Sequence, residues 1–117
     1  MNDSILDNIK TMLGPGADDT HFDTDIIIFI NSALMELNGL GVGTDGFVIT
    51  DNTATWKQFE PRVEKLTALK TYVYLSVKLD FDPPTTAAVL TAMSDKIKKL
   101  EWKLCEAAER EEENQNG

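Results

Sequence analysis

The chain has 117 residues, 42% hydrophobic and 26% charged, an ordinary balance for a globular domain with its own core. Its longest wholly apolar run, Ile26–Ile30, falls far short of the roughly 20 residues that cross a bilayer, and no basic stretch followed by an apolar one opens the sequence, so neither a membrane span nor a secretory leader is expected. The net charge of −9 is unevenly placed, with ten acids against two bases in residues 1–60 and ten against nine in residues 61–117; an acidic first half argues against a phosphate-gripping nucleic-acid binder, which needs clustered Lys and Arg, and otherwise keeps the domain soluble.

In chain order, "SILDNIKTML" places Ile5, Leu6, Ile9, Met12 and Leu13 at helical spacing. Asp3 or Ser4 serves as N-cap and Gly14-Pro15-Gly16 as the stop. A polar loop, "GADDTHFDTD", leads to a second helix capped by Asp23 or Thr24, with Phe22 placed to staple against its first turn. That helix, "DIIIFINSALMELN", is apolar around much of its circumference and is expected deep in the core. Asn38-Gly39 and Gly41 end it. Asp45-Gly46 marks a turn, and Phe47-Val48-Ile49-Thr50 has strand propensity but is too short for an independent sheet, so residues 45–51 read as an extended arm or small hairpin.

"TATWKQF" predicts a helical turn that points Trp56 and Phe59 the same way. Pro61 suits a helix start, and "RVEKLTALKTYVYLSVKLDF" carries Val63, Leu66, Leu69, Val73 and Val77 on one face, widened by Tyr72, Leu75 and Leu79. Asp82 precedes Pro83-Pro84, so the helix must end near Phe81. The same Asp82 can cap the next helix, with Thr85 and Thr86 as alternatives. In that last helix Leu90, Met93, Ile97, Leu100, Leu104 and Ala107 recur at intervals of 3, 4, 3, 4 and 3, the seam of a helix packing along a partner helix. The expected fold is all-α: a small antiparallel bundle of four main helices, forming one domain over residues 1–108. A charged tail over 109–117, without apolar residues, is expected to fray or be disordered.

No cofactor, metal or catalytic site is expected. His21 and Cys105 are each the sole residue of their type and have no nucleophile motif around them. A lone cysteine makes no internal disulfide, which fits a reducing, cytoplasmic setting. Asp18, Asp19, Asp23 and Asp25 crowd one loop but lack the glycine and closing glutamate of an EF-hand type Ca²⁺ loop. "GLGVG" follows a helix rather than a strand and has no Lys-Ser/Thr after it, so it is not a phosphate loop. Trp102 breaks its pattern: counted from Leu90 it falls opposite the apolar seam, and it either packs under another segment or meets a partner subunit.

"FDTDIIIFINSALMELNGLGVG" (residues 22–43) together with "LKTYVYLSVKLDFDPPTTAAVL" (69–90) resembles the small head-tail connector, or adaptor, proteins of long-tailed double-stranded DNA phages and prophages. The resemblance runs from the first helix to about Leu104. It implies a structural virion protein that forms a ring between portal protein and tail, extends the DNA channel and docks a tail-side neck protein. It further implies a location in the virion neck after assembly in the bacterial cytoplasm, with DNA passing through unbound. An acidic lining suits that passage, and the candidate subunit interface comprises Phe47, Val48, Ile49 and Trp102. Phe47 and Ile49 covering the domain's own core is the equal alternative, since alternate residues of an extended segment face one side. The competing function is a small helical regulatory or chaperone-like interaction protein, acting as monomer or dimer.

Overall fold

A computed structural model describes residues 3–14, 20–62 and 65–116, with side chains through residue 108. Among these residues lie five α-helices: α1 (Ile5–Leu13), α2 (Asp23–Gly39), α3 (Trp56–Phe59), α4 (Leu66–Phe81) and α5 (Ala87–Asn116). No strand occurs among them, and the chain is all-α with four main helices, as the periodicities predict. The only β-like feature described is a single antiparallel bridge between Ser4 and Thr55.

α4 is the central element. It packs between α2 and α5, while α1 closes against α4 and α2. Its Leu69, Tyr72, Val73 and Val77 face Ile26, Ile30, Ala33, Leu34 and Leu37 of α2 across one continuous core. Ile5, Leu6 and Ile9 of α1 join that core from the side, as do Leu100 and Leu104 of α5. Each such aliphatic side chain removed from water contributes about 1.5–3 kcal/mol before entropy is counted, so the three-layer contact around α4 holds the bundle together.

α3 is one turn long, yet both of its aromatics, Trp56 and Phe59, are wholly buried. A reciprocal cap holds it: Thr55 Oγ1 accepts from Gln58 N, and Gln58 Oε1 accepts from Thr55 N. The N-terminus pins it from outside, because Ile5 N donates to Ala54 O (3.0 Å) and Trp56 N to Asp3 O (3.2 Å). The Trp56 indole N–H reaches Asn8 Oδ1 at 3.2 Å, so the buried ring leaves no orphan donor.

Three helix starts differ from expectation. At α1 the cap is Ser4, whose Oγ accepts from Asp7 N, but α2 begins directly at Asp23 after a 3₁₀ turn, Thr20–Phe22, without a side-chain cap. Asp23 instead pairs with Lys10 of α1 at 2.7 Å, and Phe22 meets Phe81 edge-on at 5.5 Å. α4 starts at Leu66 rather than near Pro61. Glu60 is extended, as a residue before proline must be, and it draws the Arg62 N–H and guanidinium onto its carboxylate, which keeps Arg62 out of a helix. Val63, assigned to the α4 face from the sequence, lies outside the described residues, as do Pro15, Gly16, Asp18 and Asp19.

The third difference is at the double proline. Asp82 closes α4 instead of opening α5: its N–H donates to Lys78 O, and its carboxylate sits 2.7 Å from Lys78 Nζ. α5 begins at Ala87, with Leu90 N donating back to Thr86 O. Two prolines stiffen the chain but supply no N–H, so the corner extends to Thr86 before the first helical bond forms. At its far end α5 continues through residues 109–116, for which fraying was expected; Glu, Arg and Gln all have good helix propensity. A helix of 30 residues is about 45 Å long, which accounts for the 48 Å longest dimension of the molecule.

Candidate interaction surface

Residues 40–55 contain no regular element except turns, yet the segment is fixed. Asn31 of α2 presents both halves of its amide to Ile49: Nδ2 donates to Ile49 O (3.0 Å) and Oδ1 accepts from Ile49 N (2.8 Å). This reproduces with one side chain the paired bonds of an antiparallel ladder. Two helical turns on, Asn38 Nδ2 lies 3.1 Å from both Val42 O and Thr44 O, and its Oδ1 accepts from Gly46 N at 3.2 Å. On the other side Thr44 N donates to Phe59 O at 2.7 Å. Gly43 is required at this crossing, since its φ is +81° and a Cβ there would lie 2.2 Å from the Phe59 ring.

These tethers decide which way the extended stretch faces. Ile49 is 2% exposed and part of the core, and Phe47 is half-buried with its ring 5.5 Å from that of Phe59. Val48, between them, is 61% exposed. Of the candidate interface residues in this segment, Ile49 therefore turns into the domain's own core with its backbone groups already bonded, Phe47 does so in part, and Val48 faces out. The arm expected to be extended or a hairpin is an extended, anchored segment.

Beside Val48, α2 does not meet the expectation of deep burial. Its inner face is in the core, but Ile28 and Met35, two turns apart on its outer face, are 58% and 64% exposed. Asn31, Ser32, Met35, Gly46, Phe47 and Val48 border a shallow groove of about 430 Å³. Residues 23–56 carry five acids and no Lys or Arg, and two of the acids, Glu36 and Asp45, are exposed next in sequence to the groove residues Met35 and Gly46. The sequence held a signal for it: Asn31 and Asn38 interrupt an apolar helix at a seven-residue spacing, which marks one face.

On the far side of α4, α5 divides in two. Leu100 and Leu104 are buried and Ile97 and Ala108 pack on the core, but Val89 and Leu90 are 49% and 42% exposed. The expected apolar seam is therefore covered only in its C-terminal part. Trp102 is 67% exposed, so of its two sequence-level alternatives, packing under the chain's own segment is overturned. Four lysines, Lys96, Lys98, Lys99 and Lys103, lie in the same stretch, all exposed.

Two buried polar features are structural. Glu60 is 1% exposed and takes the Arg62 guanidinium on both oxygens, Nε at 2.8 Å. Burial by itself would raise its carboxyl, but the hydrogen bonds and charge of Arg62, with the charge of Lys65, outweigh burial and hold it below the usual value. Tyr72 donates to Glu101 Oε1 at 3.3 Å, tying α4 to α5. Burial, then the Glu101 carboxylate, push its phenol well up, so it stays protonated. Among the described residues no cluster of three or more His, Cys, Asp or Glu is placed to hold a metal, and no helix is long and apolar enough to cross a membrane.

Neither the curated proteins nor the solved structures that were searched contain a match to the chain. A family model does match it: the phage connector protein family, over residues 5–111. That span takes in α1 to α4, α5 as far as residue 111, and both exposed surfaces. The chain belongs to the phage connector protein family, as a connector-type structural protein of a phage.

Proposed function

We propose that copies of this chain form a ring in the virion neck, between the portal protein and the tail, where they extend the DNA channel and dock a tail-side neck protein. The observation that carries this reading is the family match across nearly the whole chain. Assembly takes place in the bacterial cytoplasm, and the protein acts without catalysis. The net charge of −8 over residues 1–60 suits a channel through which DNA slides without being held, because phosphates find no cationic grip there. The isolated chain is accordingly expected to show no tight, salt-sensitive binding to duplex DNA.

A phage unable to make this chain tests the reading. DNA-filled heads and separate, unattached tails are the expected products. Normal tailed particles would contradict a role at the head-tail joint.

A further inference from the structure

The two exposed surfaces lie on different helices, α2 and α5, each of which packs against α4. They differ in shape and in charge. The α2 side is a groove, edged by Met35, Phe47 and Val48, with Ile28 further along the same face. Its segment, residues 23–56, carries only acidic charge. The α5 side is a ridge. Trp102 stands out at 67% exposure, and Lys98 and Lys99 lie one turn before it, on the same face of the helix. Of the two acids near Trp102, Glu101 is engaged by Tyr72 and Glu106, one turn after it, is half-buried.

We infer that the α5 ridge of one copy seats in the α2 groove of the next, with Trp102 in the pocket between Met35 and Val48 and with Lys98 and Lys99 facing Asp45 and Glu36. Asp45 and Glu36 are both exposed, at the groove's turn and on α2. The occupant is a second copy of this chain because the chain itself supplies both complementary halves. A surface that is apolar and acidic meets one that is aromatic and basic, and neither is complementary to itself. Two different patches on one subunit give a head-to-tail contact, which propagates into a ring when the rotation between copies closes. A Trp in a desolvated pocket rimmed by opposite charges has the composition of an interface anchor. The inference rests on the ring reading and deepens it by naming the two faces that meet.

The test places a photoreactive p-benzoylphenylalanine at position 102 of the full-length chain, irradiated both in concentrated solution and in assembled particles. Cross-linked pairs of this chain joined from position 102 to residues 28–48 are the expected result. Trp102→Ala is expected to weaken self-association about thirtyfold, as loss of an anchor does. A second arm mixes Trp102→Ala with Val48→Asp: each alone fails to extend, yet the mixture forms one-to-one pairs, since each retains one intact half. Self-cross-links mapping elsewhere on the chain would overturn the assignment of faces while leaving the ring intact. Cross-links from position 102 to DNA or to another neck protein would give that surface to a different partner and overturn the inference. An absence of self-association in solution and in particles alike would overturn the ring reading as well.

Discussion

Asn31 does the work of a strand. With its amide bonded to both backbone groups of Ile49, the segment 47–49 keeps an extended shape without a β partner among the described residues. Replacing it with Leu leaves a buried N–H and C=O unpaired, and a loss of about 2 kcal/mol in chemical denaturation is expected. Glu60 offers a pH test. Its folded carboxyl lies below its ordinary value of 4.5, so it contributes stability at pH above 4.5 that is lost as pH falls through the depressed folded value. Glu60→Gln should therefore be less stable than wild type at neutral pH, with the gap in denaturation midpoint narrowing as the solution is acidified below 4.5. A gap that stays constant across that range would show that the Arg62 and Lys65 pairing does not stabilise the fold. Neither residue was legible as a tether or ion pair in the sequence. An Asn within an apolar helix and a Glu before Pro61 declare their partners only when the loop has been placed.

At the scale of elements, periodicity located the helices well, and their starts less well. Where an apolar stripe ran through a segment, as in α1 and α4, it marked most of the inner face: Ile5, Leu6, Ile9, Leu69, Tyr72, Val73 and Val77 are buried, but Met12 of the α1 stripe is exposed. Where capping residues competed, tertiary contacts chose: Asp23 went to Lys10 and Asp82 to Lys78, both leaving the N-terminal turns they were expected to cap. The 3-4 spacing of the last helix identified a seam but not how much of it is covered, because spacing says nothing about where the partner helix stops. Leu104, 2% exposed, and Leu90, 42% exposed, occupy equivalent seam positions. Leu104→Ala should cost about 2–5 kcal/mol, whereas Leu90→Ala should stay within about 0.5 kcal/mol, as exposed substitutions do. Equal losses, measured by thermal or chemical denaturation, would mean that the first turns of α5 fold back onto the bundle in solution.

The whole molecule is longer than a compact chain of its size, with a radius of gyration of 14.4 Å against about 13 Å expected. The excess comes from α5, whose first turns stand clear of the core. Fold class and family were both legible from the sequence, since helical periodicity and the segments at 22–43 and 69–90 are local properties. The division of surface between core and solvent was not. Val48 and Ile49 are neighbours of similar hydrophobicity, and the tethers from Asn31 and Asn38 decide which one turns inward. On the proposed ring reading, Ile28, Met35, Val48 and Trp102, which the hydrophobic pattern leaves outside, are covered by other molecules in the assembled neck. The most direct measurement of that claim is cryo-electron microscopy of the neck in tailed particles that contain the protein. The account predicts a closed ring of copies between portal and tail, with the central bundle fitting the density and DNA running through without ordered contacts. Particles whose neck holds no such ring, or holds the chain only as isolated copies elsewhere on the virion, would contradict it.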